Sequence, residues 1–222
     1  MVAAYRRSLF VAVSKSTATA LADLGIDEDR IRVIEMGCDL PARLVVPDPE
    51  PMFLSLGRLV PHKRIDLLLD LWERVRPETG GILVIAGDGP ERARLSARAS
   101  SGVSFTGPVS ESQKNELLGR AWLLVHAALH EGWGSVIMEA AAAGTPTVGF
   151  DVPGVRDSVR SGVTGVVATT EDDFRRAWIG LARDETYRER LGRDAHAWAA
   201  EHTWHRAVRE FLAVAQQALD RT

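Results

Sequence analysis

The sequence predicts an α/β protein whose core is a doubly wound parallel sheet. Short apolar runs rich in Val, Ile, Leu and Phe alternate with amphipathic stretches along the whole chain. Several of these runs are apolar on both faces, as in strands that helices cover on both sides. Such alternation predicts parallel strands joined by helical crossovers. It also predicts that a ligand binds where the strands end and the loops lead into helices.

Seven segments are predicted to be strands: SLFVAV, IRVIEM, MFLSLG, ILVIAG, VSFTG, WLLVHA and TPTVGF. The stretch RIDLLLDLWERV is predicted to be a helix, because four apolar residues share one face at helical spacing. These residues are Ile65, Leu68, Leu69 and Trp72. The helix in SESQKNELLGRA is expected to begin at an N-cap, Ser110, and to end near Gly119.

The C-terminal part of the chain, from Glu171 onward, is predicted to be helical. It carries three tryptophans that we expect to be packing residues rather than site residues, namely Trp178, Trp198 and Trp204.

The composition of the 222 residues is that of a folded protein and excludes several classes. At 45% hydrophobic and 26% charged residues, the chain has enough apolar material for a core. A net charge of -3 argues against nucleic acid as a partner. No apolar run reaches the roughly 20 residues of a transmembrane segment, and the N-terminal stretch lacks the features of a secretory peptide. The single cysteine, Cys38, excludes an internal disulfide and a thiolate metal cluster, so a cytoplasmic location is expected.

Proline content divides the chain into parts. Residues 1–45 are expected to form a strand, a helix within KSTATALADLG and a second strand. The next stretch, PARLVVPDPEP, has four prolines, which stiffen and extend the backbone as in a linker. We therefore predict a linker at residues 46–51 and a main domain over residues 52–222, with its sheet beginning at Met52.

The first candidate site is the basic loop GRLVPHKR, which follows the predicted strand MFLSLG. A glycine at the end of a strand, here Gly57, lets a ligand approach the backbone. Arg58 supplies a planar donor fork and Lys63 a point charge shortly before a helix begins, and this combination suits a diphosphate. A solvated basic loop without a ligand is the alternative interpretation.

The second candidate site is the stretch EGWGSVIME, in which Glu131 precedes a predicted helix and Glu139 lies just inside it. Unpaired backbone N–H groups around Gly134, Ser135 and Val136 are expected to hold phosphate or sugar oxygens. The two carboxylates suit hydroxyl groups of a sugar and a ribose, because charge-assisted hydrogen bonds are strong. A capped helix with two surface glutamates is the alternative. Glycoside hydrolysis also uses paired carboxylates, but nothing in the sequence indicates the environment of a general acid.

Three further patterns are less informative. The turn GDGP at residues 87–90 is expected either to line the cleft or simply to reverse the chain. The acidic triplet at residues 27–29 has the form of a metal-holding motif, but it lies between a helix and a strand and is predicted to be a solvated turn. Because His62, His126 and His130 lack the spacing of a ligand set, no bound metal is expected.

Together these loops resemble the donor-binding domain of the GT-B glycosyltransferases, in particular the large retaining family 4. The matching pieces follow the family's order and spacing: SLGRLVPHKRIDLLL, ILVIAGDGPE, VSFTGPVSESQKNELL, HEGWGSVIMEAAAAGTPTVGFDVPGVRDSV and SGVTGVVA. The pairing of Glu131 with Glu139 is the most specific of these marks. The resemblance implies a Rossmann-like C-terminal domain and retention of anomeric configuration. It also implies no cofactor and no protein-bound metal, because the donor substrate is itself a nucleotide sugar, linked to GDP or UDP.

The resemblance also implies residue roles. The expected catalytic residues are Arg58 and Lys63, which would bind the donor diphosphate and stabilise the leaving group, and Glu131, which would contact sugar hydroxyls. Glu139 would hold the ribose hydroxyls, and the backbone of Val109 would contact the base. The full set of expected donor-binding positions is Gly57, Val109, Glu111, Gly134, Ser135, Val136 and Glu139.

The sequence offers one candidate for reading the base. Glu111 lies two residues after Val109, and a carboxylate suits the two adjacent donors of guanine better than it suits uracil. Family members that use GDP-mannose have a similar acidic residue followed three positions later by a lysine, as Glu111 is by Lys114. An acidic residue in the first turn of a helix, favoured by the helix dipole alone, is the alternative.

The chain departs from the family pattern at its N-terminal end. A full-length member has a first Rossmann domain with the acceptor pocket, and residues 1–45 match only its last strand–helix–strand. We expect these residues to be a remnant of that acceptor domain, with the rest removed or supplied by a separate acceptor-binding subunit. The chain alone is then expected to transfer little sugar, because an open cleft weakens electrostatic interactions. Two alternatives to a transferase stay open, a non-catalytic nucleotide-sugar-binding subunit and a GT-B-fold sugar-nucleotide epimerase.

Overall fold

The computed structural model describes residues 8–219 and confirms the predicted α/β fold. Six parallel strands form the main sheet in the order β5-β4-β3-β6-β7-β8, and a separate parallel pair joins β1 to β2. The strands are β1 (Phe10–Ala12), β2 (Ile31–Val33), β3 (Met52–Leu56), β4 (Ile82–Ala86), β5 (Val103–Gly107), β6 (Leu123–His126), β7 (Thr147–Phe150) and β8 (Gly165–Ala168).

The helices alternate with these strands as predicted, and the last three follow one another. They are α1 (Lys15–Asp23), α2 (Ile65–Thr79), α3 (Arg92–Ala97), α4 (Glu111–Arg120), α5 (Ser135–Ala142), α6 (Val155–Ser158), α7 (Glu171–Arg183), α8 (Glu185–Ala200) and α9 (Trp204–Leu219). Two short 3-10 turns cover Glu28–Arg30 and Pro61–Lys63. The prediction that the chain is helical from Glu171 onward is confirmed within the described residues.

The strand β8 is absent from the seven predicted strands. It has only four residues, GVVA, and two of them are partly exposed, so its sequence lacks a long apolar run. It pairs with β7 through Val166 and Val167 at the edge of the sheet. A side chain at Gly165 would lie 2.2 Å from the Thr147 carbonyl oxygen, so the close approach of these two strands requires glycine there.

The order of the six strands reverses direction at β3. Strands β4 and β5 extend the sheet on one side of β3, and β6, β7 and β8 extend it on the other. The loops that follow β3 and β6 therefore leave from neighbouring strands toward opposite faces of the sheet, which opens a crevice between them. The two candidate loops of the sequence are those that follow β3 and β6.

The core fills both faces of the sheet, as the apolar strands predict. All five residues of β3 are buried. On one face the Phe53 ring meets Trp178 edge-on with centroids 5.3 Å apart, and Trp72 at 5.8 Å. On the other face Leu54 belongs to a cluster with Leu118 of α4 and Ile137 of α5. The two faces thus bind separate sets of helices, which is the doubly wound arrangement.

The predicted helix features are confirmed in α2 and α4. The predicted apolar face of α2 is buried, namely Ile65, Leu68, Leu69 and Trp72. Ser110 caps α4 in a capping box, because its side chain accepts from the Gln113 N–H while the Gln113 side chain accepts from the Ser110 N–H. Arg64, which precedes α2, has a left-handed backbone with φ 51°, and its guanidinium pairs with Glu171 at 2.7 Å.

The packing role predicted for the tryptophans holds for two of the three. Trp178 is fully buried, and Trp198 packs against a buried cluster that includes Trp133 and Cys38. Trp204 is 45% exposed, so its prediction as a packing residue is wrong. It begins α9, whose only buried residue is Ala207.

The N-terminal strand pair and the proline-rich segment are both fastened to the rest of the chain. Glu35 accepts hydrogen bonds from His202 at 3.0 Å and from Arg206 at 2.7 Å. The segment at residues 46–51 has no helix or strand, and Asp48 within it pairs with Arg120 at 2.8 Å. The main sheet begins at Met52, whereas the division into an acceptor-domain remnant, a linker and a donor domain stays a prediction. Residues 1–7 and 220–222 of the predicted domains lie outside the described residues.

Between residues 8 and 219 no helix combines the length and the apolar character needed to cross a membrane.

We predict that Trp178→Ala lowers the free energy of unfolding by about 3–5 kcal/mol, because it empties a filled site between Phe53 and Trp72. Trp204→Ala is the matched control, and we expect it to cost about 1 kcal/mol or less because that side chain is half exposed. Urea unfolding followed by circular dichroism measures both. Equal losses for the two variants would contradict the assigned core.

Candidate functional site

Two glycine loops meet at the carboxyl ends of β3 and β4. Gly57 donates its N–H to the Ala86 carbonyl at 3.0 Å, and Leu59 donates to Asp88 at 2.8 Å. A Cβ at Gly87 would lie 2.0 Å from the Gly57 carbonyl oxygen, and the φ of Gly87 is 127°. Only glycine fits so close an approach in that conformation. The turn at residues 87–90 therefore reverses the chain and also lines the cleft, so the two interpretations of the sequence hold together.

The cleft at the strand reversal has a volume of about 450 Å³. It brings together six of the predicted site residues, namely Gly57, Arg58, Val109, Ser135, Val136 and Glu139. The other residues along its walls are Leu56, Gly87, Asp88, Pro108 and Lys114. Lys63 lines a smaller depression that shares Gly57 and Arg58 with the cleft. Glu111 lines a separate cavity that shares Lys114 and Glu139 with it. Glu131 and Gly134 do not line these three cavities, but Glu131 contacts Lys63 and His126, which line the smaller depression.

Glu131 is the centre of a partly buried charge cluster. Its Oε1 accepts from the Lys63 ammonium and lies 2.8 Å from the Nε2 of His126. The Glu131 side chain is 16% exposed, and the His126 side chain is 3% exposed. Burial on its own raises the pKa of the Glu131 carboxyl, but the hydrogen bonds from His126 and Lys63 outweigh burial and lower that pKa from 4.5 to about 2. Glu131 is therefore ionised at neutral pH.

His126 is held neutral in this cluster. Burial lowers its pKa most, and the hydrogen bond to Glu131 opposes that effect only in part. A neutral imidazole whose Nε2 faces a carboxylate donates its proton there, which fixes the tautomer. His126 thus orients Glu131 without adding a net charge.

The loop that carries Glu131 is fixed by its backbone. Glu131 donates its N–H to the Pro153 carbonyl at 3.0 Å. A Cβ at Gly154 would lie 2.3 Å from the Glu131 carbonyl oxygen, and Gly154 has a φ of 80°. Asp157 accepts from the Gly154 N–H at 3.0 Å and so completes the start of α6. The chain after β7 therefore supports the loop after β6.

The helix α5 presents its N-terminus to the cleft. Gly134 precedes the helix with a left-handed φ of 79°, and a side chain there would clash with Ile137 at 2.9 Å. Ser135 and Val136 are the first two helical residues, so their N–H groups have no partner within the helix. The positive end of the helix dipole lies at the same place. This end of α5 can bind an anion in the cleft.

Lys114 connects the two remaining carboxylates of the site. Its Nζ lies 2.8 Å from the Glu139 Oε1 and 2.8 Å from the Glu111 Oε2. Burial lowers the pKa of Lys114, but the hydrogen bonds to Glu111 and Glu139 outweigh burial and raise it. The Glu111 side chain is 85% exposed, so its position at the rim is set by this contact and by the start of α4.

Arg58 is the cation of the cleft that stays available. It is exposed, and no carboxylate within the described part of the chain forms an ion pair with it. Lys63 and Lys114, by contrast, are each bound to a glutamate. An anionic ligand entering the cleft therefore meets one uncompensated guanidinium beside the N-terminus of α5.

The sequence interpretation missed three groups that shape the site: His126, Gly154 and the bond from Lys114 to Glu139. The spacing of Glu111 and Lys114 indicates a helical pair, but no local signal joins Lys114 to a residue of another helix. The acidic triplet at residues 27–29 is exposed and lies in the turn before β2, as predicted. His62 and His130 stack with centroids 5.0 Å apart near the Glu131 loop.

Solved structures show which fold this is. HepE from Anabaena in complex with UDP and glucose matches with a TM-score of 0.81 and 21% identity, over 96% of this chain and 63% of that one. Sucrose-phosphate synthase from Thermosynechococcus elongatus matches with a TM-score of 0.85 and 20% identity, over 96% of this chain and 58% of that one. At these identities the similarity defines the fold, which is that of the GT-B glycosyltransferases.

The sequence profile of the family described as glycosyl transferases group 1 matches residues 39–198, and the chain belongs to that family. The D-inositol 3-phosphate glycosyltransferase of Nocardia farcinica is 30% identical, over 87% of this chain and 49% of that protein. The GDP-mannose-dependent alpha-mannosyltransferase of Mycobacterium tuberculosis is 30% identical, over 75% of this chain and 43% of that protein. The chain spans about half the length of the curated relatives it matches.

We predict that the stabilising effect of Glu131 depends on pH. Because its pKa is lowered on folding, the contribution is fully present above pH 4.5 and is lost as the pH falls toward 2. It amounts to about 3 kcal/mol at neutral pH. Glu131→Gln should therefore cost about 1 kcal/mol less at pH 3.5 than at pH 7.

Urea unfolding at the two pH values measures this difference. Glu28→Gln removes an exposed carboxylate and serves as the control, with an expected effect of about 0.5 kcal/mol or less at either pH. If Glu131→Gln had the same cost at both pH values, the charge cluster around it would be wrongly assigned.

Proposed function

We propose that this chain binds a nucleotide sugar and is the donor side of a retaining, family 4 type glycosyltransferase. The observation that carries the proposal is the position of Arg58, the α5 N-terminus and Glu139 around one cleft at the strand reversal. A guanidinium and free N–H groups suit a diphosphate, and the carboxylate suits the hydroxyls of the sugars attached to it. The family supports glycosyl transfer as the reaction.

The diphosphate is assigned to the cationic side of the cleft. Arg58 offers two parallel N–H donors to phosphate oxygens, and Ser135 and Val136 offer backbone N–H groups. Lys63 is bound to Glu131 but has three ammonium protons, so one contact leaves two for a phosphate oxygen. Charge that develops on the departing nucleoside diphosphate is then met by groups that are already in place.

The carboxylates are assigned to hydroxyl groups. Glu139 lines the cleft and is assigned to the ribose. Glu131 binds Lys63, which lines the smaller depression beside the cleft, and is assigned to the transferred sugar. Val109, at the start of the α4 loop, is assigned to the base through its backbone. In this arrangement the acceptor hydroxyl attacks the anomeric carbon on the face from which the nucleoside diphosphate leaves, so the bond to the diphosphate breaks as the new bond forms, and the acceptor's proton passes to the departing diphosphate. Catalysis then consists of positioning and charge stabilisation.

The state of Glu131 favours this function over the alternatives. A carboxyl group whose pKa is about 2 is a poor general acid, and the Nε2 of the buried neutral His126 is already bound to Glu131. An epimerase needs acid–base groups on both sides of the reacting carbon. On this side, Glu131 is instead a carboxylate that stays ionised. A non-catalytic subunit that only binds nucleotide sugar shares the same donor contacts and is separated by experiment.

We propose further that donor binding in this chain is separable from transfer. The chain spans about half the length of its relatives, whose activities belong to proteins twice as long. An acceptor-binding domain or subunit is the proposed partner. Affinity for the donor alone is expected to be modest, because an open cleft desolvates the ligand incompletely.

We predict that the purified chain binds nucleoside diphosphates and their sugars but transfers little or no sugar. Calorimetric titration with GDP, UDP, GDP-mannose and UDP-glucose measures binding, and incubation with D-inositol 3-phosphate measures transfer. If Glu111 reads guanine, GDP binds more tightly than UDP and Glu111→Ala removes that preference. Tighter binding of UDP that is unchanged in Glu111→Ala would leave Glu111 as a helix-start residue.

Each other outcome of that experiment has a defined meaning. No binding of any of the four ligands would disprove the proposed function. An epimerised donor would identify an epimerase. Robust transfer by the chain alone would disprove the separation of binding from transfer, while leaving the donor site intact.

We predict that Arg58→Ala and Lys63→Ala each weaken diphosphate binding by about 1.5–3 kcal/mol, the value of a lost charged hydrogen bond. Glu139→Ala should weaken the binding of both the nucleoside diphosphate and the nucleotide sugar, because both contain the ribose. Glu131→Ala should weaken mainly the binding of the nucleotide sugar. Titration of each variant with both ligands tests this division.

The matched control is Arg98→Ala, which removes a surface arginine paired with Asp70. It should leave both affinities unchanged, because that pair lies outside the cleft lining. If Glu131→Ala weakened the two ligands equally, the assignment of Glu131 to the transferred sugar would be wrong.

A further inference from the structure

Lys114 is the most enclosed charged group of the nucleoside side of the cleft. Its side chain is 17% exposed, against 32% for Glu139 and 85% for Glu111. It comes from α4, whereas Glu139 comes from α5, so the bond between them joins two helices across the cleft wall. Surface ion pairs contribute little to stability, so the importance of this pair lies in where it holds the carboxylate of Glu139.

The position of Lys114 is rigid at its base. Its backbone N–H donates to the Ser110 carbonyl at 2.8 Å, in the first turn of α4. That turn is fixed by the capping box of Ser110 and Gln113. The ammonium therefore extends from a well-anchored turn, and its two carboxylate contacts use two of its three protons.

The consequence for Glu139 is a fixed orientation of its carboxylate. A free glutamate on a helix has several accessible rotamers, and its carboxylate turns toward water. Here Oε1 is bound to Lys114, which leaves Oε2 and the remaining lone pairs for hydroxyl groups of a ligand.

We infer that Lys114 is a positioning residue of the nucleoside site, which holds Glu139 so that the chain distinguishes ribose from 2′-deoxyribose. The inference rests on the proposed function, because it takes Glu139 as the ribose ligand. Lys114 acts through Glu139 and makes no contact of its own with the ribose. Removal of Lys114 therefore lowers the affinity for ribonucleotides selectively and leaves the affinity for 2′-deoxyribonucleotides nearly unchanged.

The test is calorimetric titration of wild type and Lys114→Met with UDP and 2′-deoxy-UDP, a pair that does not involve the proposed contact of Glu111 with guanine. Wild type is expected to bind the ribose form about 10-fold more tightly. In Lys114→Met this preference should fall to about 3-fold or less, while the affinity for the 2′-deoxy form changes by about 2-fold or less. Lys114→Arg keeps the charge and the donors and should restore most of the preference.

Further variants make the test specific. Glu116 lies on the exposed side of the same helix, where it faces Arg120, and Glu116→Gln should keep the full ribose preference. In a Glu139→Gln background, Lys114→Met should have no additional effect on the preference, because its route of action is already removed. Lys114→Leu, which lacks both the charge and the donors, provides the same measurement if the methionine variant fails to fold.

The outcomes separate the inference from the function on which it rests. An unchanged ribose preference in Lys114→Met would overturn the inference, and so would an equal loss for ribose and 2′-deoxy forms, which is the pattern of a direct phosphate contact. Failure of wild type to bind any of these ligands would instead disprove the proposed function, and the inference with it.

Discussion

The reversal of strand order at β3 determines where every group of the candidate site lies. Because β3 and β6 are neighbours whose following helices cover opposite faces, their loops separate and leave a crevice. Arg58 stands on one side of this crevice, and the loop with Glu131 and the N-terminus of α5 stand on the other. The buried cluster of Phe53, Trp72 and Trp178 packs β3 against its helices, so the strand that carries the Arg58 loop is part of the core.

Within that frame the charges are matched before a ligand arrives. Lys63 is paired with Glu131, and Lys114 with Glu139, so each carboxylate that suits a hydroxyl group is already held by a cation. Ion pairs of this kind cost desolvation and contribute modestly to stability. Their effect here is preorganisation, since a group that is fixed in advance loses less entropy on binding. Arg58 is the exception, and as the exposed cation it gives an anion its first contact.

Much of this arrangement is predictable from the sequence, and the rest depends on contacts between distant segments. Apolar runs and helical spacing predict the sheet and the buried face of α2, because these patterns are local. The glycines and the spacing of Glu131 and Glu139 predict where the cleft lies. The edge strand β8 has only four residues, GVVA, and two of them are partly exposed, so its apolar run is too short to be predicted. The exposure of Trp204 depends on what α9 leaves uncovered. The role of His126 likewise depends on the fold, because the end of β6 places its ring within hydrogen-bonding distance of Glu131, five residues later in the chain.

The N-terminal strand pair is joined to the site more closely than its separate sheet suggests. Thr17 of α1 donates to the Gly132 carbonyl at 3.4 Å, directly after Glu131. The Ser16 N–H donates to Asp157 at 3.2 Å, and the second oxygen of that carboxylate holds Gly154. Since Gly154 packs on the Glu131 backbone, α1 and α6 support the same loop from two directions. The loop that carries Glu131 therefore depends on contacts from α1, whereas Arg58 follows β3 of the main sheet directly.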